Sequence, residues 1–248
     1  MSEHLTDRNF WESFWRSKKD LIFPVKKDYV FGDILAVKSK EVHAKTAIEL
    51  GGFPGYYSIY FKKHLNLDTT LFDYFISKDI INELLMANQL NVNDIHIIEA
   101  DLFNFQPDQQ YDMVSSFGLI EHFGDTKDII SRHVQFLKPG GMLFITLPNF
   151  RSVNGWVQKT FDRSNYDKHN IRSMDPQFLS SIAHELGLKE VKAYYHGGFS
   201  VWLENQKQHT PLTRTLVKLL WYAGKIPTKL FGFESRMLSP YIILLGKR

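Results

Sequence analysis

The 248-residue chain contains no cysteine, which excludes disulfide scaffolds, thiolate metal sites and a cysteine nucleophile. It also lacks any apolar run near the roughly 18 to 20 residues that a membrane-spanning helix needs. The longest candidates, Tyr241–Leu245 and Met142–Leu147, are strand-sized. Met1-Ser2-Glu3-His4 lacks the basic-then-apolar order of a secretory signal, so a cytoplasmic location is the expectation. The net charge is only +3 and 44% of residues are hydrophobic, a balance that excludes a disordered chain. No internal repeat, low-complexity tract or Pro/Gly/Ser linker divides the sequence. Its length suits one sizeable α/β domain with a buried core.

From residue 46 onward, short apolar runs alternate with helical patterns, which reads as successive βαβ units and a parallel sheet. Seven strands are expected, at Thr46–Leu50, Thr69–Asp73, Ile95–Ala100, Tyr111–Phe117, Met142–Leu147, Lys189–Tyr195 and Tyr241–Gly246. Between them, Ser77, Asp125 and Asp175 stand where helix N-caps belong, the last followed by a first-turn proline, Pro176. The helix after Asp125 presents Ile129, Ile130, His133, Val134 and Leu137 on one side. Upstream, Thr6 or Asp7 can cap a helix carrying Phe10, Trp11, Phe14 and Trp15. Residues 1–45 therefore read as a helical lid or cover. Two stretches, about 149–174 and 200–238, break the alternation and read as insertions over the carboxyl edge of the sheet.

Chemistry enters at Ala47-Ile48-Glu49-Leu50-Gly51-Gly52-Phe53-Pro54-Gly55, a strand running into a glycine-rich turn. Glycines there let the backbone approach a ligand closely. Asp73 ends the second strand and Asp101 follows the third, so with Glu49 three acids line one sheet edge. In doubly wound folds an acid ending the second strand accepts hydrogen bonds from ribose hydroxyls. The turn is no dinucleotide fingerprint, because the glycine spacing is wrong and Pro54 has no N–H to offer a pyrophosphate. It is no P-loop either. A nucleoside cofactor without phosphates suits it better than a nicotinamide dinucleotide.

At these positions the chain resembles the class I S-adenosylmethionine-dependent methyltransferases. The matching pieces are Glu49–Gly55, Asp73, Glu99-Ala100-Asp101-Leu102, the run Tyr111–Phe123 and Leu137-Lys138-Pro139-Gly140-Gly141, in the family's order across residues 46–148. The resemblance implies an α/β, doubly wound, Rossmann-like sheet of seven mostly parallel strands with helices on both faces, the last strand antiparallel. It implies S-adenosylmethionine as cofactor. Glu49, Gly51, Gly52 and Gly55 would lie at its methionine part, Asp73 at the ribose hydroxyls, and Asp101 with the Leu102 amide at the adenine. Ser116 and Phe117 would sit near the sulfonium. Residues 46–248 would form the methyltransferase domain, moving a methyl group to oxygen or nitrogen of a metabolite, a lipid or quinone precursor, or a glycan sugar.

Two positions depart from the family pattern. Phe53 replaces the middle glycine of E-x-G-x-G-x-G, which keeps open a non-catalytic binding module as the alternative function. Gly118 stands where metal-binding members with E-x-x-E-H carry their first acid, so no metal is expected beside Glu121-His122. For a base, His122 follows the fourth strand, where it either faces the cleft or packs at a helix start. His169 and His196 are alternatives, and Asn149 can hydrogen-bond an acceptor or simply make a turn.

Charge is distributed unevenly. Residues 205–248 hold eight Lys or Arg against one acid, Glu234, while residues 1–204 hold 22 against 26. In the basic part Leu216, Leu219, Leu220 and Ala223 share a helix face, with Trp221, Tyr222, Phe231 and Phe233 adding aromatic weight. Such a helix either lies on an anionic membrane as a peripheral contact or packs on the domain with a solvated side. Nucleic acid is disfavoured, since Ser115-Ser116-Phe117-Gly118 stands where amino-methylating nucleic-acid enzymes carry N/D-P-P-Y/F. Nothing in the sequence sets the oligomeric state.

Overall fold

A computed structural model describes residues 5–204, 209–232 and 234–248. Phe233 lies outside the described residues, as does the side chain of Phe231. The strands are β1 (Thr46–Leu50), β2 (Asp68–Asp73), β3 (Ile95–Glu99), β4 (Tyr111–Phe117), β5 (Leu137–Pro148), β6 (Lys189–His196) and β7 (Tyr241–Lys247). They form one sheet in the order β3-β2-β1-β4-β5-β7-β6. Among the described residues β7 runs against the other six strands, and so pairs antiparallel with β5 and β6. Strand order reverses between β1 and β4, which opens a crevice at their carboxyl ends.

The helices are α1 (Arg8–Ser17), α2 (Gly32–Glu41), α3 (Tyr56–Leu65), α4 (Lys78–Ala87), α5 (Thr126–Gln135), α6 (Val153–Phe161), α7 (Arg163–Tyr166), α8 (Pro176–Glu185) and α9 (Pro211–Phe231). Side chains alternate across each central strand, so the sheet separates two cores. Ile48, Leu50, Leu143, Ile145, Ile242 and Leu244 meet α5 and α8 on one face. Ala47, Met142, Phe144, Ile243 and Leu245 meet the layer of α2, α3 and α4 on the other. Val25, Phe31 and Leu35, upstream of β1, belong to that second core. A third, small cluster joins α6 to α9 through Val157, Phe199, Val201, Leu203 and Val217.

Caps behave as their chemistry requires at three of four helices. The side chains of Asp7, Asp125 and Asp175 accept from backbone N–H groups of the first turns of α1, α5 and α8. Ser77 holds the N-cap position of α4, but its hydroxyl makes no capping bond; Asp79 supplies first-turn negative charge instead. Leu137 also differs from expectation. α5 stops at Gln135 and Leu137 opens β5, which pairs with Tyr111 before the chain turns through Gly140 at φ +78° and returns to the ladder.

Candidate functional site

The crevice is a cleft lined from three directions. The glycine turn contributes Gly51, Gly52 and Phe53, and the strand ends contribute Glu49, Asp73, Asp101, Leu102, Phe117 and Gly118. α1 lays Trp11 and Trp15 across the opening, and His122 closes one side.

The turn's sequence follows from its contacts. Gly51 has φ +62°, and a Cβ there would collide with the Leu119 side chain. A Cβ on Gly52 would run into the stem of Glu49. Glu49 itself is buried and braces the turn against α3, its Oε2 accepting from the N–H and hydroxyl of Ser58, both at 2.6 Å. Burial pushes its carboxyl up to about 8 against the lowering effect of those bonds. Gly55 makes the N-cap of α3 at φ +102° and does not line the cleft.

Phe53 does not stand free in the crevice. Its ring is 3% exposed and packs edge-on against Trp15 and Phe75, at centroid distances of 5.3 and 5.6 Å. It thus links the glycine turn to the α1 cover. Its N–H donates to Asp73 Oδ2 at 2.9 Å, and Phe75 N–H donates to Oδ1 at 3.0 Å, so two amides fix the carboxylate at the strand end. Burial raises the Asp73 carboxyl to about 6, with the amides pulling the other way. Asp101 accepts from Phe103 N–H at 2.9 Å and from the Asn104 side chain at 2.7 Å. Each carboxylate oxygen keeps a second lone pair for a ligand hydroxyl or amine. Phe117 lies in parallel contact with Tyr57, centroids 3.4 Å apart.

Ser116 is a correction. It is fully buried on the other side of β4, where its hydroxyl and His133 Nε2 are 2.9 Å apart, and it takes no part in the cleft. His133 Nδ1 faces the Ile129 carbonyl at 2.8 Å, so it donates there and Nε2 accepts from the serine. Asn149 is a second correction. Its amide nitrogen donates to the carbonyls of Arg236 and Ser239, each at 2.9 Å, and its Oδ1 accepts from Arg151 N–H at 3.1 Å. With no exposed surface, it ties the end of β5 to the segment before β7.

His122 does reach the cleft. Nδ1 donates to the Lys168 carbonyl at 3.1 Å, which leaves Nε2 with its lone pair. Burial holds the imidazole down to about 3, so it is neutral through the physiological range. Trp11 stands perpendicular to it at 4.9 Å, and the His169 ring lies 4.7 Å away. His169 sits behind it, outside the cleft lining, with Nδ1 donating to the Asn165 carbonyl at 2.7 Å. His196 pairs with Glu234 at 3.0 Å and lies outside the cleft lining too.

The pattern of residues gave no role to Glu121, although it is part of the same motif. It is 1% exposed, its Oε2 has no hydrogen-bond partner, and burial pushes its carboxyl up to about 8. Ligand atoms of Glu121, His122 and His169 all lie within 4.8 Å of one another, a set able to hold a metal ion. The bare oxygen and the two imidazoles, each steadied through Nδ1 by a backbone carbonyl, fit a cation despite Gly118. The expectation of no metal rests on Gly118 alone; His169, 47 residues beyond His122, has no signature along the chain. Asn170 is what brings it in, since its N–H donates to the Glu121 carbonyl at 2.6 Å and its side chain to the carbonyls of Phe123 and Gly124.

A family model described as a methyltransferase domain matches residues 28–193, two thirds of the sequence. The chain belongs to that family. By family it is an S-adenosylmethionine-dependent methyltransferase. A ubiquinone biosynthesis O-methyltransferase of Dictyostelium discoideum is 35% identical over 69 residues, a match covering 28% of this chain and 21% of that relative. Among solved structures, the methyltransferase domain of bacterial CtHen1 superposes with TM-score 0.56 at 17% identity, covering 88% of this chain and 97% of the other. Haemonchus contortus phosphoethanolamine N-methyltransferase 2, in complex with phosphomonomethylethanolamine and S-adenosylhomocysteine, gives 0.57 at 12% identity, with 90% and 56% covered. These superpositions speak for the fold. The cradle described above fits the cofactor: glycines where side chains would clash, and two carboxylates fixed at strand ends.

Proposed function

We propose that the chain methylates a hydroxyl oxygen of a small or medium-sized, ring-bearing apolar acceptor. The observation that carries this reading is His122, a neutral imidazole at the cleft wall with one nitrogen tied back and the other free. Bound S-adenosylmethionine supplies an electrophilic methyl carbon on a positive sulfonium. Asp73 and Asp101 hold hydroxyl and amine hydrogens at the strand ends, and the glycine turn admits backbone close to the cofactor's amino-acid part. His122 Nε2 is placed to accept the acceptor's hydroxyl proton; because burial holds the imidazole down to about 3, it would take that proton only with a nearby negative charge to offset the imidazolium. Glu121, within 4.8 Å, stabilises the imidazolium that results, most strongly when its own carboxyl is ionised. Trp11 and Trp15 exclude water and offer ring faces to an aromatic acceptor. The sequence similarity to an O-methyltransferase of quinone synthesis supports the oxygen and the ring.

A second reading rests on the unpartnered Glu121 Oε2. A cation held by Glu121, His122 and His169 would supply Lewis-acid activation of the hydroxyl in place of proton transfer to His122. Incubation with methyl-labelled cofactor and a panel of a catechol, a primary amine and a carboxylic acid tests the main proposal. Label is expected in the catechol ether, with turnover reduced about 100-fold or more by His122→Ala. Label in the amine alone overturns it. Loss of turnover on chelation, restored by a divalent ion, selects the cation over the free imidazole.

A further inference from the structure

The 21-residue α9 is apolar on two sides. Inward, Val217 is 6% exposed in the small core, and Gly224 lies so close to the Phe199 ring that a side chain there would collide with it. Thr228 Oγ1 accepts from Phe199 N–H at 3.1 Å, which fixes the helix along this face. Away from that contact, Leu212, Leu216, Leu219, Tyr222 and Ile226 are 48% to 70% exposed. Positions 212, 216, 219 and 226 recur at i, i+4, i+7 and i+14, and so form one stripe, with exposed Ala223 inside it. Five of the twelve exposed large hydrophobics among the described residues are on this one helix. Single exposed apolar residues are ordinary; a contiguous row of them marks a surface that meets something.

Charge identifies what it meets. Arg214, Lys218 and Lys225 are exposed at i, i+4 and i+11, a single flank beside the stripe, and no Asp or Glu occurs anywhere in the helix. A second copy of the chain would bring an equally acid-free helix against this one. An anionic lipid surface complements both features, taking the leucines into the acyl boundary and the cations among the headgroup phosphates. No helix among the described residues is long and apolar enough to cross a membrane, so the geometry is that of a helix lying in the interface. We propose that α9 docks this methyltransferase on an anionic bilayer, apolar stripe down and the Arg214–Lys218–Lys225 flank against the headgroups.

Co-sedimentation of the full chain with vesicles of phosphatidylcholine, with and without phosphatidylserine, tests this. Binding is expected only to the phosphatidylserine vesicles and should fall steeply as salt rises. Replacing Arg214, Lys218 and Lys225 together by Gln should lower the partition constant by about 100-fold. Leu216→Ser and Leu219→Ser should each lower it by about tenfold or more. Because these side chains are exposed, the variants should keep the parent's melting temperature and its affinity for S-adenosylhomocysteine. Failure of the parent to bind phosphatidylserine vesicles at low salt overturns the proposal, as does equal binding by the variants. A dimer in gel filtration that the leucine variants dissociate, without vesicle binding by the parent, overturns it in favour of a contact between copies.

Discussion

Glu121 concentrates the chemistry of the site in one carboxyl group. It is buried, one oxygen bonds to nothing, and its proton affinity is raised from the ordinary 4.5 to about 8. A raised carboxyl favours the protonated folded state, so this stabilisation is complete below the ordinary carboxyl range and is lost as pH climbs towards about 8. Glu121→Gln removes the charge that must be buried. The variant should therefore melt above the parent by a margin that widens between pH 5 and pH 9, at about 2–4 °C per kcal/mol for a chain of this size. The parent's kcat/KM should rise as pH passes upward through about 8, and the variant should lose that step. His122 contributes in the opposite sense: with its imidazole held near 3, its stabilisation falls away as pH drops below 6.5. Thermal scans across pH check both arms.

At the scale of elements, most of the fold was legible because each strand carries its own apolar run and most helices their own cap. Asp175 shows how local that information is. Its carboxylate accepts from Gln177 and Phe178 N–H and pairs with Arg151, all of which lower its proton affinity. Asp175→Ala should cost about 0.5–2 kcal/mol, read as a lower urea midpoint with an unchanged m-value. Since the carboxyl is depressed, its contribution is lost as pH falls through the carboxyl range, and the two proteins should converge there. What was not legible depends on partners distant along the chain. Ser116 lies on a strand buried on both faces, where alternation does not say which side meets a ligand, and its partner His133 reads simply as core. Asn149 looks like an acceptor contact until the carbonyls of Arg236 and Ser239, 87 and 90 residues on, are seen to consume it. The grouping of Glu121 with His169 depends on Asn170 clamping an insertion to the loop after β4. No local pattern encodes that clamp.

For the whole molecule, the sheet's reversal between β1 and β4 decides where a ligand can go. Two cores immobilise the strands from either face, so the carboxyl ends present Asp73 and Asp101 at fixed positions while α1 covers them from outside. Phe53, the residue that breaks the family's glycine pattern, lines the cleft with its ring held against Trp15 and Phe75 and its N–H on Asp73 Oδ2, so the departure braces the cradle. Calorimetric titration of S-adenosylhomocysteine into the full chain and into Asp73→Ala tests this arrangement most directly. Removal of a charge-assisted contact of about 1.5–3 kcal/mol predicts single-site binding by the parent and a roughly 10- to 150-fold weaker constant in the variant. Equal affinity in the two proteins, or no binding by the parent, would contradict it.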